Sequence, residues 1–341
     1  MLVYTLRRLL AIIPVLLAAT VFSFLLVDLS GDPIAPLRVV VPPIPEATIQ
    51  ATIERLYEDR STPERYWMWL TGVELPNGFG ANNGDVGLLQ GKWGPSNSGL
   101  NIGGELGERF IITIRLVLAA TILSFLIAIV TGVVSAVRQY SKTDHTLTLI
   151  GFIGLAMPIF WLAALIKQTA VWVNGQLDLT IFKIVGATSP GYARMGFWEQ
   201  MLDAGSHLML PTLALLLNGY AAISRFQRAS MLEVLNSDYV RLARAKGLRN
   251  RLVMRRHALR TALIPVATLG ALSISGALTG AVITETVFQW RGLGTFLTGA
   301  VFEVDVFAVM AFLVLSGVLV VVMNLVADLL YAVLDPRIRY E

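Results

Sequence analysis

No cysteine occurs among the 341 residues. Disulfides, thiolate metal sites and iron–sulfur clusters are therefore excluded, although the absence identifies no compartment. Histidine is almost as scarce. His145, His207 and His257 are scattered along the chain, so no metal site is expected. Charge is thin as well: charged residues make up 15%, against about 25% in soluble domains. Hydrophobic residues make up 55%, and the mean hydropathy is +0.67. Enzyme signatures are missing too. Without GxxxxGK[ST] the chain is not expected to hold ATP in a phosphate loop, and neither GxSxG nor HExxH occurs. "GFGANNG" has the spacing GxGxxxG with no strand before it, and reads as a turn. No internal repeat or low-complexity tract appears.

What is present is apolar and continuous. Six stretches lack Asp, Glu, Lys and Arg entirely: Leu9–Val27, Leu116–Val137, Thr146–Ile166, Ala204–Ser224, Thr261–Thr284 and Val306–Ala327. A bilayer is crossed by about 20 apolar residues, and each central charge costs about 2.5–3.5 kcal/mol on insertion scales. The expected fold is an all-α polytopic membrane protein with six spans. Leu9–Val27 is longer than a signal-peptide core and has no convincing cleavage site, so it reads as a retained span. Pro158, in "GLAMPIFWLA", is expected to kink the third span.

Orientation follows from Lys and Arg in short loops. Arg7 and Arg8, Arg138 and Lys142, ten basic residues from Arg225 to Arg260, and Arg337 and Arg339 all fall on one side of a six-span arrangement. Both termini are therefore predicted to be cytoplasmic. Three regions result: 1–29 as N-terminus and first span, 30–108 as a large extracytoplasmic segment, and 109–341 as a five-span core with a cytoplasmic loop at 225–260. In the outer segment, Ile49, Ile53, Leu56 and Tyr57 share one helical face within Glu46–Tyr57. "TPERYWMWL" predicts a second helix, with Thr62 as cap and Pro63 at its first position. "PNGFGANNGDVG" reads as a mobile, turn-rich excursion.

"DYVRLARAKGLRNRLVMRRHALRTALIPV", Asp238–Val266, carries eight basic residues between Arg241 and Arg260 against one acid. Pinned between two spans and poor in stacking aromatics, it is not a nucleic-acid site. Two readings remain: a juxtamembrane patch held by anionic membrane lipid, or a protein contact. Tyr239, Ala243 and Gly247 at i, i+4 and i+8 suggest a contact face, flanked by Arg241, Arg244 and Lys246. Lys167 either snorkels to the outer interface or, with Pro158, lines a permeation path. "ETVFQWRGLGTFLTGAVFEVD", Glu285–Asp305, is apolar for an outer loop. It packs against neighbouring spans, or Trp290, Arg291, Gly292, Leu293 and Gly294 form a tip that meets a partner. Asn324 and Asp328, one turn apart, read as interfacial groups.

"DYVRLARAKGLRNRL…HALRTALIPV" resembles the cytoplasmic loop of permease subunits in ATP-binding-cassette importers, most closely the dipeptide/oligopeptide/nickel branch. In importers generally that loop reads EAA-x3-G-x9-I-x-LP. Ala243 and Gly247 match it. Arg241 and Leu242 replace the usual glutamate and first alanine, and Arg260 stands at the proline position. "LRRLLAIIPVLLAATVFSFLLVDLSGDP", "RYWMWLTG", "GKWGPS", "ETVFQWRGLGTFL" and "NLVADLLYAVLDPRIR" resemble the same branch in order. Trp290-Arg291 departs from the usual proline, and Glu74–Gln90 looks like an insertion.

The resemblance implies a transport subunit without an ATPase site, forming half of a translocation pathway in a bacterial or archaeal plasma membrane. Implied partners are a second homologous permease, two ATP-binding subunits that hold ATP and Mg, and an extracytoplasmic solute-binding protein. Asp238, Tyr239, Arg241, Ala243, Arg244, Ala245, Lys246, Gly247 and Leu248 would form the helix docking on an ATPase. Peptides are the expected substrate. A nickel complex or other small solute is the alternative within this architecture, and a stand-alone channel or ion-coupled carrier is a more distant one.

Overall fold

The computed structural model describes the backbone of residues 2–334 and the side chains of 10, 13–256, 258–266, 269–270 and 281–326. Helix among the described residues accounts for 74% of the structure. Helices α1 (Leu2–Ser30), α2 (Ala35–Arg38), α3 (Glu46–Arg55) and α4 (Thr62–Thr71) precede a hairpin of β1 (Val86–Gly87) and β2 (Lys92–Trp93), with Val86 opposite Trp93. There follow α5 (Ile102–Val137), α6 (Lys142–Ala156), α7 (Ile159–Leu177), α8 (Phe197–Leu235), α9 (Asp238–Ala245), α10 (Asn250–Val253), α11 (Leu259–Phe288), α12 (Leu293–Phe302) and α13 (Val306–Leu334).

Among the described residues, four helices are long and apolar enough to cross a membrane: α1 from Ile13, α5, α8 and α13 through Val326. The α6–α7 pair adds a fifth if it counts as one span. The chain is a multi-pass membrane protein. Its expected third span is not the kinked helix that the sequence suggested. Helices α6 and α7 meet at 109°, and Met157 between them is extended (φ −83, ψ 125). Pro158 disfavours helical geometry in the residue before it and supplies no N–H, so the helix ends and restarts. Arg337 and Arg339, and the side chains of Arg7, Arg8 and Asp328, lie outside what the structure describes.

Two compact units are discontinuous in sequence: residues 1–112 with 292–321, and residues 113–291 with 322–341. In the first unit, Phe24 of α1 packs against Tyr66 and Trp69 of α4, with ring centroids 5.5 and 6.0 Å apart. Arg65 is 5% exposed and is held by Asp28 (2.5 Å) and by both oxygens of Glu58. Burial pushes the Glu58 carboxyl above its ordinary range, with Arg65 opposing. Thr62 is not the cap. Ser61 takes that position, and Thr62 donates to Asp28 at 2.6 Å instead. The helix expected at 46–57 forms as α3 but ends at Arg55, because Tyr57 is left-handed at φ +58; Ile49 and Leu56 are buried.

The turn-rich stretch after α4 carries hydrogen bonds within itself and to α4. Leu75 and Phe79 close one turn, Asn82 bonds Gly80 and Gly84, and Trp67 Nε1 donates to Val73 O at 2.9 Å. The Tyr57 hydroxyl bridges Asp85 and the Asn83 N–H; burial, and then the Asp85 bond, push its phenol up to about 12. Asp305 caps α13 through the Ala308 N–H. It also accepts from Ser96 Oγ (2.6 Å) and Asn97 N (2.8 Å), which ties the segment before α5 to that helix.

In the second unit, α6, α7 and α11 pack on α8. Glycines permit the close approaches. A Cβ on Gly154 of α6 would lie 2.9 Å from the Leu217 carbonyl, and one on Gly132 of α5 would lie 2.8 Å from Gln227 and Ser224. Phe288 at the end of α11 is buried with Ala163, Ala170, Leu210 and Ala214.

Candidate functional site

The link from α8 to α11 carries the densest positive charge. Asn236 ends α8 and Ser237, in extended geometry, opens α9. Asp238 in the first turn suits the positive helix end and pairs with Arg241 at 2.6 Å. The pair is exposed on both sides, so it contributes little to stability. Val240 and Ala243 turn inward. They join Ala136 of α5, Met231 and Val234 of α8, and Val253, Ala258 and Ala262 of the following segment in one buried cluster. Helix α9 is therefore anchored at once to three longer helices.

The opposite face is open. Tyr239 and Leu242, at i and i+3, are 44% and 56% exposed, and Leu248 and Leu252 continue the apolar surface beyond the helix. Arg241, Arg244, Ala245, Lys246 and Arg249 are exposed around it. An apolar centre with a basic rim fits a partner groove whose rim is acidic. The predicted face is thus corrected. Ala243 faces the chain's own core, and Gly247 stands outside the helix at φ +76. Its left-handed conformation stops α9 as a C-terminal glycine does, and a Cβ there would meet nothing within 4 Å.

A polar lock lies beside this platform. Asp144, 3% exposed in the first turn of α6, accepts two bonds from Arg228 of α8. It also accepts from Ser135 Oγ and from the Tyr140 N–H at 2.9 Å. One carboxylate thus joins α5, α6 and α8.

The other end of α11 is closed rather than projecting. Glu285 is fully buried and accepts from Thr113 Oγ1 at 2.5 Å. Lys167 neither snorkels freely nor points into open space: its Nζ donates to the Val287 carbonyl at 2.6 Å. A cation there satisfies a terminal carbonyl and complements the helix dipole. The apolar loop expected at 285–305 is packed. Trp290, Leu293 and Phe296 are 1%, 3% and 5% exposed, and Gly292 and Gly294 are buried. Of the predicted tip, only Arg291 is exposed. Pro158 is exposed, at the break between α6 and α7.

Residues 128–340 match the family model described as "Binding-protein-dependent transport system inner membrane component". The chain belongs to that family, the permeases of ATP-binding-cassette importers. Along nearly its whole length it is similar to permeases with peptide-transport names. It is 36% identical over 336 residues to the "Oligopeptide transport system permease protein OppB" of Mycobacterium tuberculosis, covering 98% of each chain. It is 36% identical over 340 residues to "AppB", of the same description, from Bacillus subtilis, covering 99% of each. It is 33% identical over 353 residues to the "Dipeptide transport system permease protein DppB" of Escherichia coli, covering all of both.

In this permease, sequence reasoning located the α9 segment but missed Asp144, Arg228 and Glu285. A signal existed for the pair. Asp144 stands just before the apolar run at Thr146, and Arg228 stands just after the run ending at Ser224. Two opposite charges flanking neighbouring spans on one side are natural partners.

Proposed function

We propose that the chain is the transmembrane subunit of an ATP-driven importer of peptides and forms half of the pathway with a second, homologous permease. The peptide-transport names of relatives covering at least 98% of this chain support the substrate class. Six spans make up this reading: α1, α5, the broken α6–α7, α8, α11 and α13. Helix α11 has 30 residues, ample for a core crossed in about 20. The distribution of Lys and Arg puts both termini and α9 in the cytoplasm of a bacterial or archaeal cell.

In this reading α9 is the coupling helix. One observation carries it: the exposed Tyr239–Leu242 pair, ringed by arginines, sits on a helix whose other face is locked to α5, α8 and the start of α11. A partner that grips such a helix moves three longer ones. The gripping partner is one of two ATP-binding subunits, which hold ATP and Mg. Closure of those subunits then tilts the spans by rigid-body motion, alternately opening the two sides of the membrane. An extracytoplasmic binding protein delivers the peptide, and the exposed Arg291 is the residue of the 290–294 stretch left to contact it in this reading.

The test is Leu242→Asp in the assembled transporter. It places a charge in the proposed contact without touching the buried cluster. Span insertion and expression should persist, whereas ATPase co-purification and binding-protein-stimulated hydrolysis fall at least tenfold. Arg249→Ala, at the rim, should reduce both less than threefold. Unchanged hydrolysis and co-purification in Leu242→Asp would refute the coupling role.

A further inference from the structure

We infer that the groove between α6 and α8 holds one anionic phospholipid, its phosphate on Arg225 and an acyl chain along Leu149 and Phe152. The inference rests on the membrane placement proposed above. The groove measures about 610 Å³ and lies among Tyr140, Asp144, Leu149, Phe152, Arg225 and Arg228, with His145 and Thr148 completing its wall.

Its charge is unbalanced by one cation. Arg228 and Asp144 are joined by two bonds and cancel. Arg225 is exposed, and among the described residues no carboxylate lies within ion-pair distance of it. Its guanidinium instead stands over the Phe152 ring, 5.3 Å from the centroid. That arrangement fixes the planar fork while leaving its N–H edges free, and the fork matches two oxygens of a phosphodiester.

The depth fits as well. Arg225 is the first charged residue after the apolar run Ala204–Ser224. Phe152 lies six residues inside the run that begins at Thr146, about 9 Å along the helix. The Arg225 guanidinium reaches in over the Phe152 ring, so the groove sets a cation directly against an apolar wall. Leu149 and Phe152 are 59% and 50% exposed, and Tyr140, 78% exposed, stands at the polar rim as interfacial tyrosines do. A zwitterionic lipid brings its own cation to the same place, so the unbalanced Arg225 selects a lipid with net negative charge. One such arginine near the surface corresponds to about fivefold enrichment.

The experiment uses the full transporter in symmetric nanodiscs of phosphatidylcholine and phosphatidylglycerol, each doped in turn with a photoactivatable analogue. Peptides from residues 140–152 should carry the phosphatidylglycerol probe several-fold more than the phosphatidylcholine probe. Arg225→Ala should remove that excess, Arg225→Lys should keep part of it, and neither should change the thermal midpoint. Equal labelling by the two probes, or labelling unaffected by Arg225→Ala, overturns the inference. So does competition by soluble glycerophosphate, which would make this an ion site, or by substrate peptide, which would make it a pathway site. Symmetric bilayers leave this outcome independent of orientation, which thiol labelling decides separately.

Discussion

Asp144 and Arg228, 84 residues apart, meet through two parallel bonds of 2.8 Å, Nε to Oδ1 and Nη2 to Oδ2. The pair fixes the N-terminal end of α6 to the C-terminal half of α8, beside the helix proposed to meet the ATPase. Breaking a fully buried pair costs about 3–5 kcal/mol, but the Arg228 side chain is 27% exposed. Arg228→Ala should therefore cost roughly 2–3 kcal/mol, because it strands a buried carboxylate. Asp144→Asn should cost less, since the freed guanidinium reaches solvent. The exchange Asp144→Arg with Arg228→Asp should not rescue, because the Tyr140 N–H is a fixed donor and would then face a cation. Thermal midpoints of the three variants in detergent measure this, and a rescued exchange would contradict it.

Membrane sidedness is open to thiol labelling, because a chain without cysteine needs no background removal. Asn82 is a poor probe site, since its side chain bonds Gly80 and Gly84. Glu74 and Asn250 are exposed. An impermeant maleimide on intact cells should label Glu74→Cys and spare Asn250→Cys. The reverse pattern would place α9 outside and end the coupling proposal.

Gly247 separates backbone strain from surface bulk. A Cβ there meets no neighbour, yet φ is +76. Gly247→Ala should cost about 1 kcal/mol through the left-handed conformation alone and leave expression intact. Gly247→Asn should be milder, because asparagine tolerates that region. If Ala and Asn behave alike in stimulated hydrolysis and in thermal midpoint, the left-handed stop is not what the position contributes.

Gly154 tests the α6–α8 approach. Its missing Cβ leaves room for the Leu217 carbonyl, a backbone atom that cannot swing aside. Gly154→Ala should destabilise by about 1–3 kcal/mol through overpacking. Gly151→Ala, whose Cβ would meet only Ser224 Oγ at 3.7 Å, should be nearly neutral. Equal thermal midpoints for the two variants would rule out the close approach.

The legible part of this fold was the part written in local pattern. Uncharged runs announced the long helices, and Ile49, Ile53 and Leu56 announced α3. The misread parts depend on backbone angles or distant partners. Counting Gly247 as i+8 assumed a helix that stops at Ala245. Asp144 and Arg228 belong to separate stretches that only tertiary packing joins. The stretch 285–305 was readable in hindsight. Leu293, Phe296, Leu297 and Ala300 follow i, i+3, i+4 and i+7, the spacing of a helix with one buried face, and that face belongs to the chain's own core.

The break at Met157–Pro158 lies near the middle of the uncharged stretch Thr146–Ile166. Proline offers no N–H to the Gly154 carbonyl, and hydrocarbon offers none either. Backbone left open at that depth persists only against protein or water. Pro158 is exposed on this chain, so the assembled transporter must hydrate it or cover it. A single imino acid thus divides one uncharged stretch into two helices and leaves at their junction a backbone carbonyl that lipid alone would not satisfy.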